Sequence, residues 1–259
     1  MHIAVTSRKP DSGGHRTPLL FVHGAWHGRW CWEPFFLDWF VDRGYEVAAL
    51  DLRGHGDSEG RVKWASFSGY VDDVRQVAET FATPPVLVGH SMGGGVVQKY
   101  LGRHRAAGAV LLAPEPVHGV YQATWRVARR WRWAFIKANL VQRLGPIVED
   151  PRRGRALFFR EDDDRPEVAG WVDLLQDDSY LAYLSMMVTP PRSGRVRDPV
   201  YVIAAEADAV FSVAELAKTA RAYGAEFDVV PGAAHDLMLD PEWERVAAAI
   251  DSWLGRHAL

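Results

Sequence analysis

The chain holds a single cysteine, Cys31, among its 259 residues. An internal disulfide is therefore excluded, and the commonest sign of an oxidising compartment is missing. No apolar run approaches the roughly 18 residues that a membrane-crossing helix requires. The opening stretch Met1 to Pro10 lacks the hydrophobic centre of a signal peptide, so a soluble, cytoplasmic protein is expected. An excess of either charge is missing as well: the formal net charge of −3 gives no general attraction to nucleic acid or to an anionic membrane. No His/Cys cluster has zinc spacing and no phosphate-binding P-loop is present, so neither a metal nor an organic cofactor is expected. These absences leave a diffusing small molecule as the expected partner. Nucleic acid and stable membrane insertion are not expected, and a homodimer is left open.

What is present is an alternation of strand-like and helix-like segments, the pattern of a mostly parallel, doubly wound α/β sheet. Leu19 to Val22, Tyr45 to Leu50, Pro85 to Val88, Ala107 to Ala113, Val200 to Ala205 and Glu226 to Val230 read as strands. Helical spacing appears around Pro34 to Val41, Val71 to Phe81, Val213 to Tyr223 and Trp243 to Leu254. Residues 114–198 break this rhythm, with helix patterns and charge but no convincing strand. The expected organisation is a core of residues 1–113 and 199–259 with a helical cap insertion at 114–198. Within the insertion Val127, Trp131, Ala134, Phe135, Ala138 and Val141 share one helical face. That face suits a cap helix over a pocket, while Arg126, Arg129, Arg130 and Lys137 suit a solvated side.

The most informative local feature is Gly89-His90-Ser91-Met92-Gly93, entered from the apolar segment Pro84 to Val88 and followed by Val96, Val97, Tyr100 and Leu101 at helical spacing. A serine at the tip of a sharp strand-to-helix turn is backbone-strained, and glycine two residues to either side removes the Cβ atoms that would collide. A serine hydroxyl attacks at neutral pH only if a base removes its proton. Of ten histidines, His235 is the best base, because Pro231-Gly232-Ala233-Ala234 carries it from the Glu226 to Val230 strand to the carboxyl edge of the sheet. Its acid partner is expected to be Asp208, just past the Val200 to Ala205 strand, with Glu206 and Glu115 as alternatives. The oxyanion needs rigid N–H donors. Met92 follows the nucleophile, and Ala25 lies in the loop after Leu19 to Val22.

Together these residues resemble the α/β-hydrolase superfamily in its serine-nucleophile branch. The landmarks are His23-Gly24, Asp51-Leu52-Arg53-Gly54-His55-Gly56-Asp57-Ser58, the Ser91 elbow, Asp208 and His235, in that order. The resemblance implies structural roles for Arg53 and Asp57, and His90 is read as a packing and hydrogen-bonding residue. Phe21-Val22-His23-Gly24-Ala25-Trp26-His27-Gly28-Arg29-Trp30-Cys31-Trp32 is similar to the plant methylesterase and hydroxynitrile lyase group. The lyases of that group carry a threonine at the position of Gly24 and a lysine where this chain has Asp236. Their absence favours ester hydrolysis over cyanohydrin cleavage.

The expected reaction is cleavage of a small-to-medium hydrophobic carboxylic ester through an acyl-enzyme on Ser91. Thioester, lactone, amide or carbon–carbon bond hydrolysis, or hydroxynitrile-lyase-like cleavage, on the same triad is an alternative. So is a non-catalytic receptor on this fold, which typically has a damaged triad. Trp26, Trp30, Trp32, Trp125, Trp131, Trp133 and Trp171 suit an aromatic-lined pocket, although core packing accounts for most of them. Only a neutral imidazole can act as base, so activity is expected to rise with pH.

Overall fold

The computed structural model describes residues 1–11, 14 and 17–259. Seven strands form one sheet in the order β1-β3-β2-β4-β5-β6-β7. They are β1 (Val5–Arg8), β2 (Leu19–Val22), β3 (Val47–Leu50), β4 (Val86–His90), β5 (Gly108–Leu112), β6 (Val200–Ala205) and β7 (Glu226–Val230). Strands β2 to β6 are buried along their whole length. Such continuous apolar runs belong to a parallel sheet covered on both faces. All pairings are parallel except that of β1 with β3.

Apolar runs mark β2 to β6 in the sequence and the alternation Glu-Phe-Asp-Val-Val marks β7, whereas nothing comparable marks β1. Its four residues, Val-Thr-Ser-Arg, alternate between exposed and half-buried at the sheet edge, so no apolar run marks them. The helices of the core are α1 (Phe36–Val41), α2 (Phe67–Ala78), α3 (Met92–Leu101), α10 (Val213–Tyr223) and α11 (Trp243–Arg256). Helix α2 begins earlier than the apolar spacing suggested because Ser66 caps it, accepting from the Gly69 N–H. Helix α10 carries a reciprocal Ser212/Glu215 capping box.

Between β5 and β6 lie α4 (Tyr121–Arg130), α5 (Arg132–Val141), α6 (Gly145–Val148), α7 (Pro151–Phe158), α8 (Glu167–Asp173) and α9 (Tyr180–Val188). The single apolar face expected from Val127 to Val141 is a correction: the helix breaks at Trp131, whose φ of −133° and ψ of 57° leave helical values. The break lets α4 and α5 converge on one cavity, which Val127, Phe135 and Ala138 line, while Val141 is left exposed. Arg126 also departs from the solvated reading, since it donates to the Val210 carbonyl and pairs with Glu215 at 2.7 Å. Trp125 and Trp133 are exposed rather than packed inside. No helix among the described residues is long and apolar enough to cross a membrane.

Candidate active site

The chain turns from β2 to β3 on one side and to β4 on the other. In open α/β sheets ligands bind outside the carboxyl ends of the strands at such a reversal. Ser91 stands there, between β4 and α3, with φ 51° and ψ −119°, a strained backbone for a non-glycine residue. Three hydrogen bonds hold it: its N–H donates to Leu112, and its carbonyl accepts from Gly95 and Glu115. The flanking glycines are required by close approach. A Cβ on Gly93 would lie 2.4 Å from the carbonyl oxygens of Val22 and His23, and one on Gly89 would lie 2.7 Å from the Gly93 carbonyl.

His235 Nε2 is 2.9 Å from Ser91 Oγ, and His235 Nδ1 is 2.8 Å from Asp208 Oδ2. A carboxylate accepts only, so Nδ1 carries the proton and Nε2 is left to accept from the serine hydroxyl. Asp208 is fixed in turn, its Oδ1 accepting the N–H groups of Val210 and Phe211 at 2.6 and 3.0 Å. The alternative acids lie elsewhere. Glu206 accepts the Gly232 N–H, and Glu115 is buried against α3, where a Cβ on Gly95 would meet its Oε2 at 1.9 Å. His90 Nε2 donates to the His235 carbonyl at 3.1 Å. Arg53 pairs with Asp73 and Asp57 with Arg29, at 2.7 and 2.6 Å, bracing their loop.

Ala25 and Met92 both border the cavity that contains Ser91. The Met92 N–H belongs to the first turn of α3, where helix donors have no partner within the helix. The peptide that carries the Ala25 N–H is held from its other end: His23 Nδ1 donates to the Gly24 carbonyl at 2.8 Å, while His23 Nε2 accepts from the Leu52 N–H at 3.0 Å. Burial, with His55 nearby, drives the His23 pKa well down. That neutral tautomer is the one both bonds need.

A second layer of buried charge, not expected from the sequence, lies behind these groups. His27 Nε2 is 2.9 Å from Asp236 Oδ2, and His55 Nε2 is 3.2 Å from Asp178 Oδ2. Burial opposes the charged form of His27, but the Asp236 carboxylate outweighs it and raises the pKa. Burial likewise opposes a charged His55, and Asp178 reverses the balance. His90, just as buried and placed beside His235, is instead lowered. His27 sits in the oxyanion segment and could have been noticed there. Asp178 carried no signal, being one carboxylate in an acidic stretch of the insertion.

The cavity above Ser91 has a volume of about 90 Å³. Val127, Phe135, Ala138, Tyr180, Tyr183 and Met186 form much of its wall. Its polar lining is already committed: Tyr180 Oη donates to Asn139 Oδ1, Asn139 Nδ2 to the Phe135 carbonyl, and Tyr183 Oη to Thr124 Oγ1. Of the tryptophans expected around a pocket, Trp26 borders it. Trp32 and Trp171 are core residues, and Trp30 stacks on His27.

A mostly parallel sheet that reverses its strand order beside a strained serine is the architecture of the α/β-hydrolase fold. The chain belongs to the alpha/beta hydrolase family, whose sequence model matches residues 19–249. A non-heme chloroperoxidase from Kitasatospora aureofaciens is 37% identical over 107 residues, 40% of this chain and 38% of that protein. The match thus spans about two fifths of that relative's length. A monoacylglycerol lipase from Mycolicibacterium smegmatis is 25% identical over 236 residues, 84% of this chain and 81% of that protein. Among solved structures, a thermophilic esterase from Thermogutta terrifontis superposes with a TM-score of 0.77 at 24% identity, covering 99% of this chain and 94% of that one. That likeness is one of fold.

Proposed function

We propose that this hydrolase cleaves small, uncharged, hydrophobic carboxylic esters, with Ser91 as nucleophile, His235 as general base and acid, and Asp208 as the partner that fixes the histidine. Ser91 Oγ attacks the carbonyl carbon as His235 Nε2 takes its proton. The resulting oxyanion is met by the N–H groups of Ala25 and Met92. His235 returns the proton to the departing alcohol, leaving an acyl-enzyme. Water then attacks that ester as it loses a proton to His235, and the acid leaves with Ser91 restored.

The observation that carries this reading is the unbroken relay from Asp208 through His235 to Ser91, at 2.8 and 2.9 Å, opening into a cavity with no spare polar group beyond the reacting ones. At about 10–15 Å³ for each water-sized group, a cavity of about 90 Å³ takes a short acyl chain. Cyanohydrin cleavage has no support here. A threonine at position 24 would drive its Cβ to 2.8 Å from His90 Nδ1, and Asp236 is committed to His27 rather than to the cavity.

A p-nitrophenyl ester series from acetate to palmitate, run beside thioester, lactone and amide panels, tests the reading. We expect the highest kcat/KM on butyrate or hexanoate and a steep fall toward palmitate. A flat profile, a preference for palmitate, or turnover confined to another panel overturns it.

A further inference from the structure

Neither His27 nor His55 takes part in the chemistry above, yet each is buried against an equally buried carboxylate. Such pairs are weak evidence for stability, because desolvation consumes much of their attraction. Both end on one peptide unit. The Ala25 carbonyl accepts from His27 Nδ1 at 2.7 Å, and the Trp26 N–H of the same peptide donates to Asp178 Oδ2 at 2.7 Å. His27 is backed by Asp236, and Asp178 by His55. A peptide is planar, so holding its oxygen and its N–H fixes the plane. Trp26 has φ 65°, a left-handed conformation that a tryptophan keeps only under constraint. Further ties run from its carbonyl to the Gln176 N–H and from its indole N–H to the Leu144 carbonyl.

We propose that His27–Asp236 and His55–Asp178 are positioning pairs that grip the Ala25–Trp26 peptide from both ends and so keep the Ala25 N–H aimed at the developing oxyanion. The inference rests on the hydrolase reading, in which Ala25 is an oxyanion donor. It makes the donor's aim depend on two distant segments, since Asp178 precedes α9 in the insertion and Asp236 follows the catalytic histidine. The oxyanion site is thereby held by the cap and by the histidine loop, as well as by the β2 loop that contains it.

Paired variants separate positioning from packing. His27→Asn keeps an N–H near the place of Nδ1 and loses the reach to Asp236; His27→Gln does the reverse. Asp178→Asn keeps an acceptor for the Trp26 N–H, which Asp178→Ala removes. The readouts are kcat and KM on the best ester, and the inhibition constant of an alkyl boronic acid, whose tetrahedral adduct on Ser91 places an oxygen between the oxyanion donors. We expect His27→Gln and Asp178→Ala to lower kcat roughly 10- to 100-fold and to weaken the boronate similarly, with KM little changed. The two Asn variants, which keep the direct hydrogen bond to the peptide but weaken the buried pair behind it, recover part of the loss.

Folded His27→Gln and Asp178→Ala proteins with kcat within about twofold of wild type overturn the proposal. So do losses confined to KM, or Asn variants as impaired as their partners. If Asp178→Ala does not fold, the two His27 variants carry the same comparison. A wild-type protein that neither turns over esters nor binds the boronate overturns the hydrolase reading first and the positioning pairs with it.

Discussion

At the level of single residues, each group of the proposed triad is held by a neighbour. Asp208 is held by two backbone N–H groups and in turn fixes the His235 tautomer. Two predictions follow that logic. Ser91→Ala is expected to lower kcat by a factor on the order of 10⁴ to 10⁶ while leaving the thermal midpoint nearly unchanged. Asp208→Asn keeps the shape of the side chain but admits the wrong histidine tautomer, and a loss of about 10⁴-fold is expected. Steady-state rates of the purified variants check both, and an Asp208→Asn enzyme near wild-type activity would argue that another group orients His235. The same neighbour logic sets the buried histidines apart: His27 and His90 lie on either side of Asp236, at 2.9 and 3.6 Å. The nearer is raised by that carboxylate against its burial, and the farther, deprived of water beside His235, is lowered.

At the level of elements, α4, α5 and α9 supply much of the wall of the cavity above Ser91, and on the proposed reading that wall sets which acyl chains fit. Ala138 on α5 is buried and borders the cavity, so Ala138→Phe fills space that an acyl chain would use. Rates on p-nitrophenyl acetate are expected to survive while those on hexanoate fall, at a stability cost of about 1–3 kcal/mol from overpacking. Hexanoate turnover that is unaffected would place the acyl chain elsewhere. Much of this architecture was legible in the sequence. Buried parallel strands are written as apolar runs, and Gly-x-Ser-x-Gly marks a turn whose crowding admits no side chain at its flanks. The candidate acid could be read because it follows such a strand, β6, and the candidate base because it follows β7, whose apolar residues alternate with acidic ones. Less local features were hidden. Strand β1 forms by pairing with β3 rather than from any pattern of its own, and no glycine or proline marks the break at Trp131. Asp178 acquires its partners His55 and Trp26 only when segments far apart in the chain meet.

At the level of the whole molecule, one buried carboxyl makes stability depend on pH. Burial pushes the Glu115 pKa up to about 8, with Lys99 acting in the opposite direction, and neither carboxyl oxygen has a hydrogen-bond partner among the described residues. An unfolded chain releases this proton near pH 4.3, the ordinary value for glutamate. Between about pH 4.3 and 8 the folded protein therefore holds a proton that the unfolded chain has lost, so this group's contribution to stability declines as pH rises through that window. Glu115→Gln is neutral at every pH, and denaturation midpoints at pH 5 and 9 should differ less in the variant than in wild type. An identical pH dependence in the two proteins would contradict a protonated Glu115.

The central claim is that distant segments of the chain meet at the end of the sheet to make one hydroxyl reactive. Covalent labelling with a fluorophosphonate, followed by mass spectrometry of the modified peptide, tests it most directly. The account predicts one adduct, on Ser91, absent in Ser91→Ala and strongly slowed in His235→Ala. An adduct on another residue, or equal labelling of wild type and Ser91→Ala, would contradict it.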